Sequence, residues 1–318
     1  MLTVQETAAA LRRFDRVLIL THMRPDGDTV GCAAALCAGL RQLGKTAYLL
    51  PNPGLTATTA PFAAAYAAPE DFQPETVVSV DIATVNLLPE NARPYAGHIA
   101  LAIDLHPSFE AFGRENIVRP EAAACGELML DILRELGALT PEIALPLYVA
   151  IATDTGCFQY TNTTAATLRA AAELVDTGID HHSVNKTFFR TKTRKRLALE
   201  ADMLSHMEFY DGGRAVFLFV PMALMERLEA TESDAEDLSA LGPQIEGTDC
   251  AVTFRELRKD VWKLSVRTGE RVNATNVCRE LGGGGHAAAA GCTVEAPLAE
   301  VKERLLTAIA RQVPDFQR

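Results

Sequence analysis

One histidine and two aspartates stand close together in Thr21-His22-Met23-Arg24-Pro25-Asp26-Gly27-Asp28-Thr29-Val30-Gly31. The segment follows the apolar run Val17-Leu18-Ile19-Leu20 and precedes an alanine-rich run from Cys32 to Leu40. That order reads as strand, tight polar loop and helix. It puts an imidazole and two carboxylates at the carboxyl end of a buried strand, where open α/β sheets place their ligands. Asp26 and Asp28, separated only by Gly27, repel each other unless a positive charge lies between them. A divalent metal is the simplest candidate.

The pattern recurs. Val77-Val78-Ser79-Val80 runs into Asp81, and His98-Ile99-Ala100-Leu101-Ala102-Ile103 into Asp104, followed by Leu105 and His106. A third apolar run, from Leu147 to Ala152, leads to Thr153-Asp154-Thr155-Gly156. Any one such aspartate can simply cap a following helix or turn. Four segments, two of them also carrying histidine, point past capping to a shared centre. Carboxylates and imidazoles without thiolates suit Mn²⁺ or Mg²⁺ better than structural zinc.

The elements that must position these residues alternate. Short β-like runs at 16–22, 46–50, 77–81 and 98–104 are interleaved with helical patterns at 31–43, 122–137, 141–153 and 164–178. This predicts a mostly parallel sheet with helices on both faces. Residues 186–207 are charged and read as a helical bridge. Beyond them, 214–220, 249–256 and 261–267 read as antiparallel strands, followed by a helix from Thr275, a glycine-rich stretch and a terminal helix over 297–311. The second part is expected to be a smaller α+β domain with a mixed sheet. The expected division is 1–187, a linker at 188–207, and 208–318.

Composition narrows the class. The chain has 318 residues, 48% of them hydrophobic, enough for two ordinary cores. No apolar stretch is long enough to span a bilayer, and residues 1–14 lack a signal-peptide apolar core, so a cytoplasmic location without membrane contact is expected. A formal net charge of −11 argues against broad duplex nucleic-acid binding. It leaves room for a short anionic substrate held by a few arginines and metals. Seven scattered cysteines without a CxxC pair read as reduced, buried thiols. Oligomeric state is not legible, and a homodimer is among the arrangements expected.

These segments together resemble the four motifs of the DHH phosphoesterase family, and Gly282–Gly291 (GGGGHAAAAG) resembles the glycine-rich histidine motif of that family's associated C-terminal domain. The resemblance covers nearly the whole chain and is nearest to members that degrade very short oligoribonucleotides and dephosphorylate 3′-phosphoadenosine 5′-phosphate (pAp). It implies two Mn²⁺ ions, with Mg²⁺ or Co²⁺ as alternatives. His22, Asp26 and Asp81 would hold one ion and Asp28, Asp81 and Asp154 the other, Asp81 bridging. Asp28, Asp81 and His106 would carry the catalysis, and short single-stranded RNA or a nucleotide would be the substrate. Arg255 and Arg267 resemble phosphate-binding arginines, and Gly283, Gly284, Gly285 and His286 would let backbone amides approach an anion. A plain hinge is the other reading of the glycines, and exposed strand arginines the other reading of 255 and 267. If the second domain grips the far end of the nucleotide, the distance to the metals would favour short substrates.

The sequence departs from the family at one position. The signature Asp-His-His reads Asp104-Leu105-His106 here, and leucine cannot ligate. A second metal completed by water, a weakened metal site, and an alteration peculiar to this sequence are all consistent with that. The literal string Asp180-His181-His182 is a decoy, because it follows a helix ending at Gly178 and reads as a helix N-cap. Rival functions are hydrolysis of pApA from cyclic-dinucleotide breakdown or of pyrophosphate, and a metal-impaired regulatory protein that only binds nucleotides.

Overall fold

A computed structural model describes residues 1–317. The chain divides into two compact units, Met1–Thr191 and Lys192–Arg318. The first contains, in order, α1 (Val4–Arg13), β1 (Val17–Leu20), α2 (Gly27–Gln42), β2 (Ala47–Leu49), α3 (Ala60–Ala64) and β3 (Thr76–Val80). There follow β4 (Ile99–Asp104), β5 (Glu115–Val118), α4 (Cys125–Leu136), α5 (Pro141–Asp154), α6 (Ala165–Asp176) and α7 (His181–Asn185), then a π-helical turn, Lys186–Arg190.

The five strands form a wholly parallel sheet in the order β2-β1-β3-β4-β5. The chain leaves β1 toward β2 on one side and later returns to β3 on the other. The order therefore reverses between β1 and β3, and a crevice opens there at the carboxyl ends of the strands. Alternate side chains explain why the strands read as continuous apolar runs. Val17, Ile19, Val78, Val80, Leu101 and Ile103 face the helical core, whereas Leu18, Leu20, Val77 and Ile99 face a second cluster. That second face is closed differently from the expectation of helices on both sides. Leu88, Ala92 and Tyr95, in and around the short 3₁₀ turns Val85–Leu87 and Glu90–Tyr95, pack there with Phe109 and Phe112. Pro89 and Pro94 keep this segment from forming a longer helix. The sequence pattern did not reveal β5, because only Ile117 of its four residues is buried.

Two helices lie unusually close. A Cβ on Gly31 of α2 would stand 2.3 Å from the Pro146 carbonyl oxygen of α5, and one on Gly27 would stand 2.4 Å from the Thr153 side chain. Both glycines are thus needed for α2 to seat on α5. That contact brings the end of α5 to the beginning of α2, and Asp154 lies on the last turn of this helix, not at a strand end.

The second unit contains α8 (Arg194–Ser205), β6 (Glu208–Tyr210), β7 (Ala215–Val220), α9 (Met222–Arg227), β8 (Cys250–Arg258) and β9 (Val261–Thr268). It ends with α10 (Ala274–Arg279), β10 (Gly284–His286), β11 (Ala289–Glu295) and α11 (Leu298–Ala310). The sheet order is β10-β11-β9-β8-β7-β6. All neighbours are antiparallel except β7 and β8, which run parallel, contrary to the antiparallel expectation. The connection through α9 and residues 228–249 carries the chain back to the starting end of β7, and so imposes this direction. One sheet face, with Val252, Phe254, Trp262, Leu264 and Val266, packs on α10 and α11. On the other, Val216, Leu218, Val220 and Ala251 pack on Leu199 and Met203 of α8 and on Leu224.

The close seat of α2 on α5 is testable. Gly31→Ala is expected to lower stability by about 1–3 kcal/mol, because the added carbon meets backbone rather than a movable side chain. Urea unfolding of the variant beside the parent chain checks this; an unchanged midpoint would contradict the packing.

Candidate metal centre

The carboxyl ends of β1, β3 and β4 place His22, Asp81 and Asp104 side by side, with Asp81 in the middle because β3 lies between β1 and β4. The backbone at Asp81 is left-handed, φ 56°, and its amide donates to the Ile103 carbonyl of β4 at 2.8 Å. This conformation is uncommon for a residue with a side chain and is held here by a neighbouring strand. It turns the Asp81 carboxylate into the crevice at 4% exposure.

His22 Nε2 lies 3.6 Å from Asp26 Oδ2 and 3.7 Å from Asp81 Oδ2. On the other side, His106 Nδ1 lies 3.7 Å from Asp81 Oδ1 and bonds Asp104 Oδ1 at 2.9 Å. Two groups of donor atoms result, each within 4.8 Å: His22, Asp26 and Asp81, and Asp81, Asp104 and His106. Asp81 belongs to both. Its Oδ1 is buried and accepts no hydrogen bond among the described residues, although a buried carboxylate oxygen ordinarily has a partner. An orphaned oxygen between imidazoles and carboxylates, with no thiolate, fits a hard divalent cation.

Asp26 divides its two oxygens. Oδ1 accepts from the Asp28 and Thr29 amides at 3.0 and 3.1 Å, capping α2, and Oδ2 faces His22. Capping and metal binding, alternatives in the sequence, are compatible in this one side chain. Asp28 is placed otherwise. It is fully buried, and its oxygens accept from the Cys125 amide at 2.6 Å, the Gly126 amide at 2.9 Å and the Cys32 thiol at 3.3 Å. Ala124, the residue before α4, has no capping side chain of its own, so Asp28 caps this helix from a different helix. Neither Asp28 nor Asp154 falls in the two compact groups. Asp104, absent from the ligand sets expected from the sequence, falls in the second. It ends β4, the same strand-end signal that singled out Asp81. Leu105 packs against the helical core, and His106 is the imidazole beside Asp81.

The charges oppose one another. Burial raises the Asp28 carboxyl well above the usual carboxylate range, helped by Asp154 and Asp81. Burial likewise raises Asp154, with Asp26 and Asp81 adding repulsion, to about 7, and it also raises Asp81. Burial opposes charge on His22, yet the Asp26 and Asp81 carboxylates outweigh it and lift the imidazole to about 9. His106 is raised mainly by its hydrogen bond to Asp104.

In the second unit, register puts Arg255, Arg267, Ser265 and His286 on one sheet face. Arg267 is paired with Ala251, four residues from Arg255, so the two arginines are offset by about 13 Å along the strands. They do not converge on one phosphate. Arg255 also forms an ion pair with Glu232, whereas Arg267 donates to the Val266 carbonyl at 3.2 Å. Gly283 passes so close to β11 that a Cβ would stand 2.2 Å from the Gly291 carbonyl oxygen. Gly284, Gly285 and His286 then form the exposed edge strand β10. The glycine-rich stretch is thus a paired sheet edge, not a hinge.

The bifunctional oligoribonuclease and PAP phosphatase NrnA of Thermus thermophilus is 33% identical over 302 residues, covering 93% of this chain and 90% of that protein. The chain belongs to the DHH family. The family model for the DHH N-terminal domain matches residues 16–153, and that for the DHHA1 domain matches residues 223–314. The Bacillus subtilis protein of the same description is 25% identical over 91% of this chain and 92% of its own length. An exopolyphosphatase-related protein from Bacteroides fragilis has the same fold, with a TM-score of 0.86 over 98% of this chain and 96% of its own at 21% identity. Among the described residues, no helix of this DHH protein is long and apolar enough to cross a membrane.

The proton on Asp154 up to about pH 7, and that on His22 up to about pH 9, must leave before either group binds a cation. Apparent Mn²⁺ affinity is therefore expected to climb by more than tenfold per pH unit up to about pH 7, where both protons must leave, and by about tenfold per unit from there toward pH 9, where only that on His22 must. Titration calorimetry from pH 5.5 to 9 checks the slope; affinity independent of pH would contradict it.

Proposed function

We propose that this DHH protein is a metal-dependent phosphoesterase that hydrolyses short oligoribonucleotides and pAp. The observation that carries the proposal is Asp81, a buried carboxylate shared by two donor groups and left with an unpartnered oxygen. The similarity to the NrnA proteins along both units supports the substrate class.

His22, Asp26 and Asp81 would hold one divalent ion, Mn²⁺ by donor chemistry. Asp28, Asp81 and Asp154 would hold the second, without the imidazole that Leu105 cannot supply. Repulsion of Asp28 by Asp154 and Asp81, and of Asp154 by Asp26 and Asp81, supports this set, since a cation relieves it. Bound there, the two ions supply an acidified water and neutralise charge on the phosphoryl oxygens.

The side chains do the rest. The His106–Asp104 bond holds the imidazole by Nδ1 and leaves Nε2 directed away from Asp104. With its pKa raised, the imidazole stays protonated above the ordinary histidine range. It can donate to a phosphoryl oxygen or to the departing group, a role that suits its 47% exposure. In the second unit, Arg267, the amides near Gly283, Gly284 and Gly285, and His286 would offer anion contacts to the nucleotide. Arg255 is held by Glu232 and would contribute only after giving up that partner.

Two measurements test the reading. Hydrolysis of pAp, pApA and RNAs of two to five nucleotides, with and without Mn²⁺, is expected to show metal-dependent turnover with preference for the shortest chains; absence of turnover on the whole panel would end the proposal. Asp81→Asn is expected to lower turnover by at least ~100-fold and to reduce bound Mn²⁺, because the change reaches both ions, whereas loss of an outer-shell partner alone costs 10–100-fold. An unchanged rate would exclude the shared role.

A further inference from the structure

The decoy string Asp180-His181-His182 has a place in the fold that the metal centre does not use. Asp180 caps α7, accepting from the Ser183 amide at 3.0 Å. His181 and His182 instead line a cavity of about 340 Å³, with Asn185, Lys186, Phe189 and Arg190. No carboxylate lines it, in a chain whose net charge is −11. Among the described residues neither Lys186 nor Arg190 has an ion-pair partner, whereas Arg119, Arg134, Arg196 and Arg255 are all paired with acids. Two unpartnered cations beside two imidazoles and an amide make a cavity suited to an anion.

The cavity is tied to the acidic centre by chain and by packing. Its wall includes Cys157 and Gln159, and Cys157 lies three residues beyond Asp154, no more than about 10 Å along the chain. Gly156, Cys157 and Phe158 are three consecutive left-handed residues, at φ 55°, 56° and 66°. Two of them carry side chains, and such conformations concentrate where a backbone is held for function. Tyr148 of α5 fixes the opposite wall. Its ring meets His181 edge-on with centroids 6.0 Å apart, and its hydroxyl bonds Asn185 Oδ1 at 3.2 Å. Helix α5 therefore carries Asp154 at its end and the cavity wall on its side. The Lys186–Arg190 wall is a π-helical turn, a rare form that recurs at functional sites.

We propose that this cavity is a second phosphate subsite, within the first unit, for the nucleotide substrate. It rests on the phosphoesterase reading. Lys186, Arg190 and the two histidines take a phosphate neighbouring the one under attack, and Phe189 offers an aromatic face to the attached base. A substrate with two phosphates then engages the centre and the cavity together, whereas inorganic phosphate engages only one.

Lys186→Gln and Arg190→Gln test this in the full chain; both positions are exposed, and circular dichroism confirms the fold. Binding of pApA by calorimetry in metal-free buffer needs no turnover, and each variant is expected to bind about tenfold more weakly, the loss of one charge-assisted hydrogen bond. With Mn²⁺, the pApA KM is expected to rise by a similar factor while kcat stays within about twofold. Unchanged pApA affinity in both variants would overturn the subsite. So would an equal rise in KM for bis(p-nitrophenyl) phosphate, which has one phosphate, or inorganic phosphate that displaces pApA at comparable concentration. A parent chain that turns over the substrate panel while both variants bind normally would refute the subsite alone; a parent chain without turnover would refute the parent reading.

Discussion

Repulsion among buried carboxylates is the constraint around which the first unit is built. Burial disfavours charge on Asp28, Asp81 and Asp154, and repulsion adds to it: Asp154 and Asp81 act on Asp28, Asp26 and Asp81 on Asp154, and Asp26 on Asp81. Placed so, they would destabilise the fold without compensation. The protein supplies compensation from several sides: the imidazole of His22 between Asp26 and Asp81, the amides at the start of α4 for Asp28, and the amides at the start of α2 for Asp26. Asp81 Oδ1 accepts no hydrogen bond among the described residues, with His106 Nδ1 standing 3.7 Å away. Stored repulsion of this kind favours a cation.

Backbone architecture makes the convergence possible. The strand order puts β3 between β1 and β4, so whatever ends β3 meets residues from both sides. The left-handed turn at Asp81 aims the side chain inward rather than along the strand. Gly27 and Gly31 let α2 descend onto α5, which delivers Asp154 from a helix to a site otherwise made at strand ends. Strain at Asp81 and absent side chains at the glycines are thus features of the same site, and each would be a defect elsewhere.

The second unit shows a different division of labour. One sheet face is apolar and covered by α10 and α11; the other is apolar near β7 and polar toward β9, β11 and β10. Arg267 and His286 share that polar region with a close-packed glycine edge, whereas Arg255 is drawn to Glu232 at the far end of the strands. Two arginines that look equivalent in the sequence are therefore in unlike surroundings.

Much was legible from residue order alone. Apolar runs ending in aspartate marked β1, β3 and β4, and the loop from His22 to Asp28 declared its chemistry because local spacing fixes which residues share a turn. The helix over 141–153 was legible too, but not that Asp154 would approach the centre from it. The short polar strand β5 escaped because an edge strand needs few buried residues. Nor did the sequence disclose the amides that hold Asp28, the pairing of Arg255 with Glu232, the parallel run of β7 and β8, or the cavity beside His181 and His182. Each depends on groups far apart in the chain. Period and spacing determine local structure, whereas strand order and helix packing decide which charges meet; here only the folded chain could place Asp81 between two imidazoles.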